Sequence, residues 1–394
     1  MGARIRTVII IGASLAGHSS ARALRRSGFD GDIVVVGDEL KRPYDRPPLS
    51  KDFLAGRTTE ADLALEGDEE DLRVEWVLGT RAVALDPGTT TVTLSDGRWI
   101  TGDAVIVATG SSARRLPTSL SGVHTLRTID DAVALRDDMK PGARLCVIGA
   151  GFVGAEIAST ARGLGMDVTV VEAADTPLAG PLGALLGNAV AGLHARHGVP
   201  LHCGTPVERL LGTERVTGVE LADGRQLPAD VVVAGIGAVP AVGWLADTGL
   251  DVTRGLLCNQ VGATAAANVF GVGDCSAWFD PARGHHHRVE HWTDSRDRPR
   301  ITVDALLNGY DPAAPATLGA PYFWSDQYGV RLQFAGRRVG DETVTFEAGS
   351  VDDADLLAVY WRHGKPVAVL GMDQPKQFGR WRRGLSHDLH GAAA

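Results

Sequence analysis

Two glycine-rich turns, each between an apolar strand and a helix, constrain this sequence more than any other feature. The first lies in the stretch 7–17, which runs from an Ile-rich strand through Gly12 to Gly17. The second lies in 144–156 and has glycines at 149, 151 and 154. Such a turn brings the N–H groups and the positive dipole end of the helix to a pyrophosphate. Two copies favour an α/β protein with two dinucleotide sites.

An acidic residue follows the second strand of each βαβ unit. Asp38 comes after the apolar run 33–36, and Glu172 comes after 167–171. Carboxylates at these positions accept hydrogen bonds from ribose hydroxyls. Glu172 would repel a 2′-phosphate and no arginine follows it closely, so the second unit favours NAD(H) over NADP(H). The first unit departs from the pattern at Ser14, which replaces a glycine, and such a turn can also serve as a plain connection.

The remaining segments add strands and a third region. Residues 74–110 predict a small antiparallel meander whose last strand, 104–108, ends at Thr109 and Gly110. A strand, glycine turn and acid recur at 268–275, and a helix is expected after Trp292. From about residue 321 the sequence becomes aromatic and alternating, which indicates a third, mainly β domain.

Composition excludes several classes of protein. The formal net charge of −9 does not favour nucleic acid or a membrane surface as partner, and no apolar run approaches about 20 residues. The first strand begins close to Met1, so we expect a cytoplasmic protein without a leader. The four scattered cysteines and the run His285–His287 are not expected to bind a metal or form a disulfide framework.

Taken together, these motifs resemble the two-dinucleotide flavoprotein oxidoreductases related to glutathione reductase. The runs Pro-Pro-Leu-Ser-Lys at 47–51 and Trp-Ser-Asp-Gln-Tyr at 324–328 resemble NADH-dependent ferredoxin reductases of the putidaredoxin reductase type. The resemblance implies two Rossmann-like domains and a C-terminal α+β domain. The FAD domain would be discontinuous (1–115 and 240–318), with the NAD domain (116–239) inserted and an interface domain at 319–394.

The resemblance also implies cofactor-binding residues. NADH would bind at the second turn, and FAD at the first turn, its acid and segments farther along the chain. The FAD set is Gly12, Ser14, Leu15, Ala16, Gly17, Asp38, Lys51, Ala82, Thr109, Gly110, Arg127, Asp274 and Trp292. The NAD set is Gly149, Gly151, Phe152, Val153, Gly154, Glu172 and Gly237.

The resemblance further implies three catalytic residues: Lys51 near the flavin, Glu156 near the nicotinamide and open to pairing with Lys51, and Trp324 over the flavin pocket. A helix N-terminus following Trp292 would stabilise the reduced flavin. Without the resemblance, the sequence favours a surface lysine at Lys51 and an ordinary core residue at Trp324. Arg298 departs from the neutral residue or glutamine of relatives at the flavin edge.

A disulfide reductase of this fold needs a cysteine pair where this chain has Pro47, Pro48 and Lys51. Electrons must therefore leave the flavin directly. We expect hydride transfer from NADH to FAD, then single-electron transfer to a [2Fe-2S] ferredoxin that serves a cytochrome P450 or a ring-hydroxylating dioxygenase. The alternatives are reduction of rubredoxin or of a small oxidant such as a quinone or radical, and a redox-dependent binding protein resembling apoptosis-inducing factor.

Basic groups near the C-terminus are candidates for contact with an acidic ferredoxin. They are Arg331, Arg337, Arg338 and the run 376–383. The alternative interpretation is that they form a solvated face. We expect a monomer or weak dimer.

Overall fold

The structure, a computed structural model, describes residues 5–67, 71–281, 283–310 and 319–391. The strands in chain order are β1 Thr7–Ile11, β2 Asp32–Val36, β3 Val74–Val77, β4 Ala82–Asp86, β5 Thr91–Leu94, β6 Trp99–Thr101, β7 Ala104–Val107, β8 Ser111–Ala113, β9 Val123–His124, β10 Arg144–Ile148, β11 Asp167–Val171, β12 Leu201–His202, β13 Val207–Gly212, β14 Val216–Leu221, β15 Gln226–Pro228, β16 Val231–Ala234, β17 Ala238–Pro240, β18 Leu256–Cys258, β19 Val269–Gly271, β20 Ser276–Asp280, β21 His285–Arg288, β22 Tyr322–Gln327, β23 Val330–Gly336, β24 Thr343–Ala348, β25 Leu356–Arg362 and β26 Lys365–Met372.

The α-helices are α1 Leu15–Arg26, α2 Ile129–Asp138, α3 Phe152–Gly163, α4 Ala179–Leu182, α5 Ala184–Arg196, α6 Trp292–Asn308 and α7 Pro375–Gly391. Short 3₁₀-helices lie at Pro47–Ser50, Ala61–Leu63, Gly243–Thr248 and Gly273–Cys275.

The chain divides into two compact units. Unit 1 consists of Met1–Asp45, Leu63–Ser112 and Val239–Leu318, and unit 2 consists of Arg46–Asp62, Ala113–Ala238 and Gly319–Ala394. Unit 2 thus includes the short segment that contains Lys51. The predicted domains divide the chain differently, because they assign this segment to the FAD domain and separate the NAD domain from the C-terminal domain. Their boundaries stay a prediction.

Unit 1 is built on a parallel sheet with the strand order β19-β7-β1-β2-β3. Residues 8–11 of β1 are almost fully buried, because a parallel strand is covered on both faces. The apolar face of α1 packs against β1, β7 and α6. A smaller mixed sheet, β18-β20-β21, completes the unit together with the antiparallel sheet β4-β5-β6.

The predicted meander over 74–110 is wrong at both ends. Only β4, β5 and β6 pair in antiparallel fashion, whereas β3 and β7 belong to the parallel sheet. All four residues of β7 are buried, which is the pattern of a central parallel strand covered on both faces. Its short apolar run shows no period that separates it from an antiparallel strand.

Unit 2 contains a second parallel sheet, ordered β12-β11-β10-β16-β9, with α3 packed on β10 and β11. A three-stranded antiparallel sheet, β13-β14-β15, accompanies it. The C-terminal part of unit 2 forms an antiparallel sheet, β22-β23-β26-β25-β24, with α7 against β26 and β23. The fold class predicted from the sequence, two Rossmann-like parallel sheets and a C-terminal α+β region, is confirmed.

Hydrophobic residues form separate cores around these sheets. One core fills unit 1 around the strands that include Ile9, Val35 and Ile106. In unit 2, distinct clusters lie around Val147 and under the C-terminal sheet near Leu370. None of the helices in the described ranges is both long and apolar enough to cross a membrane.

Candidate functional site

The first turn of unit 1 has the geometry of a dinucleotide cradle. Gly12 has φ +121°, and a Cβ there would lie 2.1 Å from the carbonyl oxygen of Ala108. A Cβ on Gly17 would lie 1.8 Å from the oxygen of Gly12, so this glycine lets α1 approach β1. Ser14 is the N-cap of α1, and Leu15 and Ala16 open its first turn. The N–H groups of that turn are positioned to bind an anion, which fits the predicted FAD pyrophosphate.

Two further predicted FAD residues of unit 1, Thr109 and Gly110, follow the end of β7, where Gly110 has φ +66°. Asp274 lies in the 3₁₀-helix 273–275. Its carboxylate accepts hydrogen bonds from Ser111 Oγ at 3.2 Å and Ser295 Oγ at 3.3 Å. The turn after β7 and the start of α6 therefore converge on one carboxylate.

Asp38 and Ala82 lie at the edge of the same unit. Asp38 follows β2 and is half exposed, with an Arg81 nitrogen 3.6 Å from its carboxylate. Ala82 is the first residue of β4. An exposed carboxylate beside an arginine can accept hydrogen bonds from a ribose. The role of Asp38 toward FAD stays a prediction.

Trp292 is the first residue of α6, as the sequence predicts. Its indole Nε1 donates to Asp45 Oδ1 at 2.6 Å, and the guanidinium of Arg296 lies 5.0 Å from its ring centre. The departure at Arg298 has a simple structural role. Its guanidinium is buried and donates to Asp294 at 2.9 Å, so the positive charge is balanced inside the helix.

The second turn, in unit 2, repeats the geometry of the first. A Cβ on Gly149 would lie 2.3 Å from Gly235 O, and a Cβ on Gly154 would lie 2.1 Å from Gly149 O. A Cβ on Gly151 would meet no atom within 4 Å, so the middle glycine borders open space. This is the position where the backbone approaches a bound pyrophosphate, and the turn fits the predicted NAD site.

The other predicted NAD residues lie around this turn. Phe152 and Val153 begin α3, and Gly237, with φ +90°, follows β16. Glu172 Oε2 accepts from the backbone N–H of Ala150 at 2.8 Å. The predicted ribose-binding carboxylate is thus also tied to the turn itself.

We expect two glycine substitutions in the second turn to differ in effect. Gly154→Ala should lower the free energy of unfolding by about 1–3 kcal/mol, because its Cβ overlaps backbone. Gly151→Ala should leave unfolding nearly unchanged and weaken NADH binding, since its Cβ enters the open space. Urea titration and NADH titration of the two variants measure these effects. Equal NADH affinity in Gly151→Ala and wild type would contradict the assignment.

A buried ion pair joins two of the three predicted catalytic residues. Lys51 Nζ lies 2.7 Å from Glu156 Oε2, with the side chains 16% and 5% exposed. Glu156 projects from α3, one turn beyond Gly151, and Lys51 follows the 3₁₀-helix 47–50. Lys51 Nζ also donates to Pro47 O at 3.1 Å. These two bonds leave one N–H of the ammonium for a ligand.

Three hydroxyl and amide side chains complete this cluster. Ser50 Oγ donates to Glu156 Oε2 at 2.5 Å, and Ser325 Oγ donates to Oε1 at 2.6 Å. Gln327 Nε2 donates to Ser325 Oγ at 3.1 Å. The buried carboxylate thus has an ion pair on one oxygen and hydrogen-bond donors on both oxygens, which hold it in one orientation.

Trp324, the third predicted catalytic residue, points away from this cluster. Side chains alternate along a strand, so Ser325 and Gln327 of β22 face Glu156 while Trp324 lies on the opposite face. There its ring stacks 6.0 Å from that of Tyr322, with the Arg331 guanidinium 5.9 Å from its centre. The roles predicted for all three residues stay predictions.

Sequence reasoning missed Ser50, Ser325 and Gln327. The signal was present in part: period-two alternation in Trp-Ser-Asp-Gln places Ser325 and Gln327 on one face. Arg127, a predicted FAD residue, lies in unit 2, where its carbonyl oxygen accepts from Arg46 at 2.6 Å. Its side-chain role toward FAD stays a prediction.

The four cysteines are unpaired. Cys146, Cys258 and Cys275 are buried, and Cys203 is half-buried. Burial raises the pKa of Cys146 to about 12 and raises the pKa of Cys258 and Cys275 well above the ordinary value. Buried thiols of this kind are poor nucleophiles, so Cys146, Cys258 and Cys275 are poorly suited to a dithiol relay.

Comparison with known proteins agrees with this geometry. Residues 6–298 match the family of pyridine nucleotide-disulphide oxidoreductases, and residues 322–394 match the reductase C-terminal family. The chain therefore belongs to the pyridine nucleotide-disulphide oxidoreductase family. Within that family it groups with the ferredoxin reductases, and the predicted resemblance to this branch is confirmed. FAD and NAD(H), the predicted cofactors, are those of this branch.

Two relatives and one solved structure illustrate the grouping. Rhodocoxin reductase of Rhodococcus erythropolis is 36% identical over 389 residues, covering 97% of this chain and 90% of the relative. The benzene 1,2-dioxygenase system ferredoxin–NAD(+) reductase subunit of Pseudomonas putida is 35% identical over 376 residues, covering 94% and 90%. The crystal structure of the covalent putidaredoxin reductase–putidaredoxin complex matches with a TM-score of 0.92 at 31% identity, covering 98% and 94%.

Proposed function

We propose that this chain is an NADH-dependent FAD flavoprotein that delivers electrons singly to a [2Fe-2S] ferredoxin of a cytochrome P450 or ring-hydroxylating dioxygenase system. The observation that carries the proposal is the Lys51–Glu156 pair in the segment where a disulfide reductase would need its thiols. When bound, FAD supplies hydride acceptance and single-electron release. The burial of three of the four cysteines supports exit of electrons without a dithiol step.

The residues of this chain bind and orient in this function. The first turn would hold the FAD pyrophosphate at the start of α1, and the second would hold the NADH pyrophosphate at the start of α3. Glu156 accepts from Lys51 and holds its ammonium in place. Lys51 would then present its remaining N–H to the reacting cofactor, where a fixed charge stabilises negative charge that develops in the reaction.

Ferredoxin-dependent cytochrome c reduction tests the proposal. Purified protein with FAD and NADH should reduce cytochrome c rapidly when a [2Fe-2S] ferredoxin is added and slowly without it. Rubredoxin and a quinone in place of the ferredoxin serve as comparison acceptors. A rate that does not depend on ferredoxin would contradict the proposal, as would failure of NADH to bleach bound FAD under anaerobic conditions.

The structure reduces the number of basic residues that are candidates for ferredoxin contact. Arg338 is 14% exposed and donates to Gly180 O, so it is a structural residue of unit 2. Three basic residues are exposed on α7: Lys376, Arg380 and Arg383. They are spaced four and three residues apart, so they lie on one face of the helix. We call this the α7 basic stripe and assign it to an acidic partner surface.

Glu172 should set the preference for NADH. We expect Glu172→Ala to raise the KM for NADH about tenfold and to leave the FAD content unchanged, because the carboxylate accepts from the Ala150 N–H of the second turn and would bind the NADH ribose. Steady-state kinetics and the absorbance ratio of flavin to protein measure the two effects. The nearby exposed Asp175→Asn is the matched control. Loss of FAD instead would show that the two dinucleotide sites are exchanged.

We place the protein in the cytoplasm. NADH is available there, and a reducing compartment agrees with four cysteines that form no disulfide among themselves. We expect it to act as a monomer or weak dimer.

A further inference from the structure

Ser325 contacts the Lys51–Glu156 pair from a distant part of the chain. Its side chain is fully buried on β22, and its hydroxyl donates to Glu156 Oε1 at 2.6 Å across 169 residues of sequence. Ser50 and Lys51 both bond to the other oxygen, Oε2. Within the described part of the chain, Ser325 is therefore the donor that holds Oε1.

Gln327 fixes the direction of the serine hydroxyl. A hydroxyl has one hydrogen to donate and two lone pairs that accept. Gln327, 1% exposed, donates its Nε2 hydrogen to Ser325 Oγ at 3.1 Å. The lone pair on that side is thus occupied, and the single hydrogen of Ser325 is directed to Glu156. The hydrogen bonds therefore run in one direction: Gln327 donates to Ser325, and Ser325 donates to Glu156.

We propose that Ser325 is a positioning residue for hydride transfer, which acts through Glu156 by fixing the plane of its carboxylate and hence the direction of the Lys51 ammonium. The proposal rests on the proposed function and assigns a part in it to the C-terminal sheet. A carboxylate held at one oxygen can rotate about its last side-chain bond, whereas donors on both oxygens define its plane. Lys51 follows that plane because its ammonium bonds to Oε2.

A double-mutant cycle between Ser325 and Glu156 tests the proposal. The variants are Ser325→Ala, Glu156→Gln and the combination, each as holoenzyme. The first measurement is the rate constant for reduction of bound FAD by NADH in anaerobic stopped flow, without ferredoxin. Ser325→Ala should lower that rate constant about tenfold, as loss of a hydrogen bond to a charged group does, while the dissociation constant of NADH stays the same.

In the Glu156→Gln background the same Ser325→Ala change should alter the rate constant less than about twofold, because no carboxylate remains to be positioned. The second measurement is the urea midpoint of unfolding, which should fall less in that background than in the wild type. The proposal is overturned if the effects of Ser325→Ala and Glu156→Gln on the rate constant for FAD reduction are additive. It is also overturned if Ser325→Ala has the wild-type rate constant.

Tyr360→Phe is the matched control. Tyr360 is a buried residue of the same sheet, and its hydroxyl donates to Leu182 O at 2.8 Å. Loss of the Tyr360 hydroxyl should lower the urea midpoint of unfolding and leave the rate constant for FAD reduction unchanged. If Tyr360→Phe lowers that rate constant as much as Ser325→Ala does, Ser325 acts through the stability of the sheet, and the proposal is overturned. If wild-type FAD is not reduced by NADH, the proposed function itself fails, which is a different result from equal rates in wild type and Ser325→Ala.

Discussion

Lys51→Met is expected to lower the rate constant for FAD reduction by NADH at least about 100-fold. The variant removes a fixed ammonium donor, and loss of one such donor from a preorganised site costs about that much. It also leaves the carboxylate of Glu156, 5% exposed, without its cation. Breaking a buried pair at one partner should lower the free energy of unfolding by about 3–5 kcal/mol. Stopped flow and urea titration of the holoenzyme measure these effects.

The double variant Lys51→Met/Glu156→Gln separates stability from function. Removing both charges should restore much of the lost stability, because no unpaired charge stays buried. FAD reduction should remain slow, since the ammonium is still absent. Lys365→Met, an exposed lysine of the same unit, is the control and should match wild type in both measurements. Recovery of FAD reduction in the double variant would show that Lys51 is not part of the site for hydride transfer.

Charge reversal of the α7 basic stripe is expected to have the second largest effect. Lys376→Glu/Arg380→Glu/Arg383→Glu should lower kcat/KM for ferredoxin about 10- to 100-fold at low salt, because electrostatic attraction raises association rates by such factors. The difference should shrink as salt is raised, since screening lengths fall from about 30 Å at 0.01 M to about 10 Å at 0.1 M. Ferredoxin-dependent cytochrome c reduction at several ionic strengths measures it.

Two comparisons identify a surface effect. Ferricyanide reduction should be unchanged in the triple variant, because a small acceptor needs no docking surface. Reversal of three other exposed basic residues, Arg26, Lys140 and Arg254, should leave the ferredoxin rate close to wild type. Equal losses in the two triple variants would point to net charge and not to the α7 basic stripe.

The parts of this protein that could be predicted from sequence are those encoded locally. Each glycine turn, its strand and its acid lie within about thirty consecutive residues, and the chemistry of that unit is fixed by its own spacing. The close approaches at Gly17 and Gly154 follow from this local pattern. The family motifs around Lys51 and Trp324 supplied the remainder of the predicted site.

The parts that could not be predicted depend on distant pairing. Ser325 lies 169 residues from Glu156. Alternation along the strand predicts the face on which Ser325 lies, but it does not identify the carboxylate that packs there. The pairing of β3 and β7 with the parallel sheet was missed for the same reason. A short apolar strand looks alike in either kind of sheet until its neighbours along the sheet are known.

The early segment with Lys51 belongs to a unit whose other parts are made much later. During synthesis at about 5–20 residues per second, Lys51 is made roughly 5–20 s before Glu156 and roughly 15–55 s before Ser325. Until then the lysine has no buried carboxylate to join. The order of synthesis therefore makes assembly of this cluster a late event in the life of each nascent chain, after the strands of both parallel sheets have been synthesised.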